Sequence, residues 1–137
     1  MLKIGYDGST VHRAFLHFSE LDQFEGMNIF QARLDLTQSG ASTCSATAPF
    51  VAYRIRDGWT AGSATSYPGP GSDLTDGSRL SSATTSVGFG GTGSCAASGT
   101  ASIMLTPAAW NWTDSTWSNN GILLKAADET STAGYRR

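Results

Sequence analysis

Six residues of this chain combine aromatic rings and amides in a way that suits ligand binding. A tryptophan or tyrosine ring has an apolar face and a polar edge, so an exposed ring can stack on the apolar face of a sugar. An asparagine amide can both donate and accept hydrogen bonds with sugar hydroxyls. The predicted ligand-binding residues are Trp59, Tyr67, Trp117, Asn119, Asn120 and Tyr135. The alternative role of the tryptophans is packing at the edge of a core, and the sequence leaves it open.

The residue types needed for catalysis do not come together in the sequence. A nucleophilic hydrolase needs a serine or cysteine beside a histidine and a carboxylate, but no Gly-x-Ser-x-Gly motif occurs. His12 and His17 are five positions apart, so a regular strand puts them on opposite faces, where they cannot share a metal ion. Glycosidases need two facing carboxylates, whereas Asp128 and Glu129 are adjacent and are predicted to lie in a solvated turn. We therefore predict no catalytic residues and no enzyme.

Two acidic segments could hold a structural calcium ion. Asp73 and Asp76 with Gly77, or Asp7 with Gly8, could supply the carboxylate and carbonyl oxygens that hard cations prefer. Neither segment matches a complete calcium-binding loop. No cofactor is predicted, and structural calcium stays open.

The chain has two cysteines, Cys44 and Cys95, both in Gly/Ser/Ala-rich surroundings and without metal-ligand spacing. In an oxidising compartment the simplest outcome is a disulfide between them, which would stabilise the fold by about 4 kcal/mol in the chain-entropy model. Two independent free thiols are the alternative.

Length and composition favour one all-β domain over residues 1–137. Charged residues make up 15% of the chain and the formal net charge is -2, so no basic surface is present for nucleic acid. No apolar run approaches the roughly 20 residues of a membrane span. The first residues lack a signal peptide's apolar segment, which fits either a piece of a secreted protein or a small reading frame such as a phage structural protein. The chain's 16 glycines favour short strands and many turns.

Alternation of apolar and polar residues predicts the strands that would position these side chains. The clearest pattern covers residues 29–37, where the residues predicted to point inward are Phe30, Ala32, Leu34 and Leu36. Further strands are predicted over residues 11–18, 50–56, 78–89 and 122–127. The last of these is expected to be buried mainly on one face.

One short helix is predicted near residues 107–112, directly after an apolar strand. Thr106 can act as its N-cap, and Pro107 suits the first helical position. Trp110 and Trp112 are then expected to be core or staple residues of this helix. The turn signal Asn119-Asn120-Gly121 follows and leads into the strand beginning at Ile122.

Several segments resemble DNRLRE domains. The end of such domains is similar to Thr106, Trp112, Asn120-Gly121-Ile122-Leu123-Leu124 and Asp128-Glu129. Arg13-Ala14-Phe15-Leu16-His17-Phe18, Leu2-Lys3-Ile4-Gly5-Tyr6 and Val51-Ala52-Tyr53-Arg54-Ile55 resemble earlier strands, and the two cysteines occupy similar places. Asp57-Gly58-Trp59-Thr60 lacks the glutamate that follows in the family.

The resemblance implies an antiparallel β-sandwich of jelly-roll type in an extracellular or cell-surface protein, grouped with carbohydrate-binding modules. The expected function is a non-catalytic module that binds a glycan or another surface polymer. The alternative is a structural subunit, such as a virion decoration or tail protein or a filament or shell module, that acts through protein contacts. Both family ends look clipped here, so a second copy or a neighbouring subunit is expected to complete a sheet edge.

Overall fold

The computed structural model describes residues 1–44, 49–65, 67–70, 79–82, 89–90 and 95–137. Short strands dominate this part of the chain, and the helical segments are few and brief. The strands are β1 (Gly5–Tyr6), β2 (Val11–His12), β3 (Ala14–Leu16), β4 (Arg33–Gln38), β5 (Phe50–Arg54), β6 (Arg79–Ser82), β7 (Gly99–Met104) and β8 (Ile122–Ala126). The helix α1 is Thr106–Thr113, and 3-10 turns cover Ser19–Phe24, Ser63–Thr65 and Thr132–Gly134. Among the described residues, none of the helices has the length and apolar character needed to cross a membrane.

All pairing between named strands is antiparallel, and no sheet formed by the described residues closes on itself. The largest sheet has four strands in the order β3-β8-β5-β6, while β4 pairs with β7 and β1 pairs with β2. These findings confirm the predicted antiparallel β class.

Strand β8 is the centre of the four-stranded sheet because it pairs with β3 on one side and β5 on the other. Leu124 lies opposite both Ala14 and Ala52. Ile122, Leu123 and Leu124 are all fully buried. The prediction that this strand is buried mainly on one face is therefore wrong, since a central strand of a small protein can be covered on both faces.

Strands β4 and β7 pair along six residues, from Arg33 opposite Met104 to Gln38 opposite Gly99. The predicted alternation holds within β4, where Leu34 and Leu36 pack against the core and Arg33 and Asp35 are exposed. It does not extend to Phe30, which is 95% exposed and precedes the strand. The prediction that Phe30 points inward is wrong, because the chain enters the sheet only after it.

One apolar cluster joins the two larger sheets and α1. Phe50, Ala52 and Leu124 come from the four-stranded sheet, and Ala101 and Ile103 come from β7. The helix adds Ala108 and Trp112 to the same cluster. Two sheets and a helix therefore bury their apolar faces against one another.

The helix is found where it was predicted but begins differently. Leu105, not Thr106, is its N-cap residue, and no side chain caps it. The Thr106 hydroxyl instead accepts a hydrogen bond from the Ala32 amide at 3.1 Å. Trp112 is buried in the core, one of the two roles expected for it, whereas Trp110 is more than half exposed and is therefore not a core residue.

The predicted strand over residues 11–18 is divided into β2 and β3, which belong to different sheets. Within the predicted strand at residues 78–89, the structure has β6, Arg79–Ser82, while residues 78 and 83–88 are outside the described part. Cys44 and Cys95 form a disulfide with their Cα atoms 5.5 Å apart, which confirms the predicted pairing.

Candidate functional site

The six predicted binding residues separate into two places on the surface. Trp59 and Tyr67 line one groove, which we call the aromatic groove. Trp117 and Asn119 line a second depression, the indole pocket, together with Asp22, Glu25, Trp112, Ser115 and Ser118. The other two predicted residues, Asn120 and Tyr135, line neither depression but contact groups that do.

The aromatic groove has a volume of about 620 Å³ and is formed by the segment 10–15, residues of the loop after β5, and the first residues of the chain. Its floor includes Phe15, whose ring centroid lies 5.6 Å from that of Trp59 at a tilted angle. The Trp59 indole donates a 2.7 Å hydrogen bond to the Asn120 carbonyl. Trp59 is thus fixed by one ring contact and one hydrogen bond, with part of its surface still exposed.

Tyr67 is the most accessible predicted aromatic residue, with 65% of its surface exposed. The Arg13 guanidinium lies over its ring, 4.6 Å from the centroid, and also donates to the Tyr67 hydroxyl at 3.3 Å. A further bond from Arg13 to the Pro68 carbonyl at 2.9 Å holds the same loop. Arg13 therefore sets the position of Tyr67 at the rim of the groove.

Arg13 is itself held by Glu129. Two hydrogen bonds, at 2.8 and 2.7 Å, join the guanidinium to the two carboxylate oxygens, in the bidentate geometry that strengthens such pairs. Lys125 Nζ is 3.1 Å from the same carboxylate. The side chains of Arg13 and Glu129 are only 7% and 11% exposed. The prediction of a solvated turn holds for the exposed Asp128 but is wrong for Glu129.

These contacts keep Glu129 negatively charged and Arg13 positively charged. Burial opposes ionisation of Glu129, but the hydrogen bonds from Arg13 and Lys125 outweigh it and lower its pKa. Burial likewise opposes the charge of Arg13, and the bond to Glu129 outweighs it and raises the pKa of Arg13. Sequence reasoning missed both roles, and the one signal present was an arginine placed among apolar residues of a strand.

Tyr135 does not line the groove, but its ring lies beside that of His12, which does. The two rings are 6.0 Å apart, and His12 Nε2 is 2.8 Å from Asp7 Oδ2. The bond from His12, followed by those from the Thr10 and Ser9 amides, holds the pKa of Asp7 well below its ordinary value of 3.8. The Asp7 carboxylate thus organises the turn before β2.

Structural calcium remains an open prediction. Residues 73, 76 and 77 lie outside the described part. The Asp7 carboxylate oxygens already form hydrogen bonds with Ser9, Thr10 and His12. The described residues contain no group of three or more His, Cys, Asp or Glu side chains that could hold a metal ion.

The indole pocket has a volume of about 250 Å³ and follows the end of α1. Arg54 lies over the Trp117 ring at 4.2 Å from the centroid, and Trp117 packs against the core cluster. Asn119 donates to the Phe18 carbonyl at 2.9 Å. Asn120 instead donates to the Arg56 carbonyl at 2.6 Å, so its side chain supports the turn.

Comparison of this chain with known protein families, with curated proteins and with solved structures gave no match.

Proposed function

We propose that this protein is a non-catalytic, surface-exposed module that binds a glycan through the aromatic groove. The fold we propose for it is an antiparallel β-sandwich of jelly-roll type, supported by the apolar cluster shared between the two larger sheets. The observation that carries the binding proposal is the groove, in which an exposed Tyr67 and a partly exposed Trp59 flank about 620 Å³ of open space.

The groove has the two kinds of group that sugar recognition uses. Tyr67 and Trp59 offer ring surface for the apolar face of a sugar. His12 lines the same groove with a partly exposed polar ring, while the Arg13 guanidinium is already bonded to Glu129, Tyr67 and Pro68. Because the Arg13–Glu129 pair fixes Tyr67 before any ligand arrives, little ordering cost remains for the bound state.

The test is a glycan array followed by titration of any glycan that binds. We expect Tyr67→Ala to weaken binding about tenfold or more, because a stacking face is lost. Phe30→Ser is the matched control, since Phe30 is also an exposed aromatic residue but does not line the groove. The proposal is overturned if no glycan binds, or if Tyr67→Ala binds as well as the control.

An extracellular or cell-surface location is proposed with this function. The Cys44–Cys95 disulfide supports it, because such bonds persist in oxidising compartments.

A second candidate function is that of a structural subunit, favoured by a different surface. Residues 26–32 run along α1: Gly26 donates to the Thr113 carbonyl at 2.8 Å, and Trp110 donates to the Ile29 carbonyl. Met27, Phe30 and Trp110 are each more than half exposed there. Exposed apolar side chains gathered on one face are typical of protein contacts.

The occupant proposed for this surface is a second copy of the chain, as in a homo-oligomer. Sedimentation of the wild type and Phe30→Glu distinguishes the candidates. Concentration-dependent association that Phe30→Glu abolishes would favour the structural role. A wild-type monomer at high concentration would rule it out.

A further inference from the structure

The ionisable side chains that line the aromatic groove are all basic. Among the described residues of the lining these are Lys3, His12 and Arg13, and none of the described lining residues is an aspartate or a glutamate. The whole chain has a formal net charge of -2. The basic lining therefore does not follow from the overall charge of the protein.

Two of these three side chains already have an acidic partner. Both carboxylate oxygens of Glu129 accept hydrogen bonds from the Arg13 guanidinium, and His12 Nε2 is 2.8 Å from Asp7 Oδ2. Neither Glu129 nor Asp7 lines the groove. Since each pair contains its own carboxylate, neither pair leaves an uncompensated positive charge for a ligand.

Lys3 differs from the other two because it is exposed and forms no ion pair with an acidic residue of the described part of the chain. A lysine ammonium is a compact charge with three hydrogen-bond donors on a flexible stem. It can therefore turn toward an anion in the groove without giving up an existing acidic partner.

The ammonium and the aromatic rings line the same space. Tyr67 is 65% exposed, Trp59 is partly exposed, and the groove volume of about 620 Å³ lies within the range of about 300–1,000 Å³ that is usual for small-molecule sites. Any sugar that stacks on a ring gains the apolar contact. Only a sugar that also carries a negative charge gains an ion pair with Lys3.

We propose that the aromatic groove selects glycans that contain an anionic sugar unit, a uronate or a sulfated sugar, and that Lys3 pairs with its charge. This inference rests on the proposed glycan-binding function and names the class of glycan. Tyr67 and Trp59 supply the stacking surface, while Lys3 distinguishes acidic sugars from neutral ones. An exposed ion pair changes affinity by a factor of about two to five.

The experiment compares glycans that differ only in charge. Oligosaccharides of galacturonate and of glucuronate are each titrated against their methyl esters, and a sulfated galactose oligosaccharide is titrated against its unsulfated form. At about 50 mM salt we expect at least one acidic member to bind about three- to fivefold more tightly than its neutral counterpart. The difference should shrink at about 500 mM salt, where exposed charges are screened.

The pair that shows the preference identifies the anionic group as a carboxylate or a sulfate. Equal affinity within every pair overturns the inference, and so does a glycan array on which only neutral glycans bind.

Variants assign the preference to Lys3. Lys3→Gln should abolish it without changing affinity for the neutral member, Lys3→Arg should retain it, and Lys3→Glu should reverse it. Arg33→Gln is the matched control, because it removes one positive charge from an exposed side chain that does not line the groove. An unchanged preference in Lys3→Gln, or an equal loss in Arg33→Gln, overturns the inference.

Tyr67→Ala separates this inference from the proposed function. It should weaken both members of a pair by about the same factor, because stacking does not depend on the charge of the sugar. If acidic and neutral glycans bind equally and both depend on Tyr67, the charge inference fails and the groove proposal stands. If no glycan binds, both fail.

Discussion

Glu129 shows how one residue can connect fold stability with the binding surface. Its carboxylate joins Arg13 and Lys125 at a place where both Arg13 and Glu129 are nearly buried. Arg13 in turn lies over the Tyr67 ring. A change at Glu129 should therefore affect both the free energy of unfolding and the groove.

We expect Glu129→Gln to destabilise the protein by about 3 kcal/mol, because it leaves a buried guanidinium without its charged partner. Asp128→Asn is the control, since this neighbouring carboxylate is exposed and its hydrogen bonds are within its own turn, to Thr130 and Ser131. It should cost less than about 1 kcal/mol. Urea unfolding of both variants measures the difference, and equal losses would contradict the role given to Glu129.

The lowered pKa of the Glu129 carboxylate predicts that the free energy of unfolding depends on pH. The pKa of Glu129 is lower in the folded protein than its ordinary value of 4.5, and that of Asp7 is lower than 3.8. The unfolded chain therefore binds more protons at low pH. The stabilisation is present above these ordinary values and is lost as pH falls below them toward the folded pKa values.

Urea unfolding between about pH 6 and pH 2 tests this dependence. We expect the free energy of unfolding of the wild type to decrease below about pH 4.5, and that of Glu129→Gln to decrease less over the same range. Parallel curves for the two proteins would show that Glu129 does not contribute.

At the scale of elements, the turn before β8 depends on Gly121. Its φ is 80°, and a Cβ atom there would lie 2.0 Å from the Leu16 carbonyl oxygen. The Gly121 carbonyl also accepts from the Ile55 amide at 3.3 Å. The turn is thus packed closely between β3 and the end of β5.

Gly121→Ala is expected to cost about 3 kcal/mol or more, from both the left-handed backbone and the clash with Leu16. Gly26→Ala is the matched control, because Gly26 has φ of 76° and a Cβ atom added there would meet nothing within 4 Å. It should cost about 1 kcal/mol, from the backbone conformation alone. Thermal unfolding of the two variants measures the difference, and similar losses would show that the close contact is relieved cheaply.

The sequence predicted the elements whose signals are local. The β4 alternation at Leu34 and Leu36, the position of α1 and the turn at Gly121 were all predicted, because periodicity, Pro107 and glycine act over a few residues. The burial of β8 on both faces was not predicted, since it depends on which strands pair with β8. Phe30 was wrongly predicted to point inward, because this apolar residue continues the alternation of β4 although it lies outside the sheet.

Of the candidate site, only aromatic residues and one amide could be predicted. Trp59, Tyr67, Trp117 and Asn119 do line depressions. Arg13 and Glu129 are 116 residues apart in sequence, and no local pattern relates them.

For the whole molecule, the disulfide is the covalent cross-link between distant parts of the chain. It joins residues separated by 51 positions. Closing a loop of this length reduces the entropy of the unfolded chain and stabilises the fold by about 4 kcal/mol.

We expect the double variant Cys44→Ser/Cys95→Ser to lose stability by about this amount in urea unfolding. Reductant should lower the stability of the wild type and leave that of the double variant unchanged, which controls for effects of reductant elsewhere. Alkylation of two thiols in the unreduced native protein would contradict the bond.

The two adjacent asparagines of the turn before β8 serve different depressions. Asn119 lines the indole pocket, while the carbonyl of Asn120 holds Trp59 in the aromatic groove. The geometry of this one turn therefore affects both depressions. A substitution that shifts its backbone would change the aromatic groove through the position of Trp59, even though Asn120 itself does not line the groove.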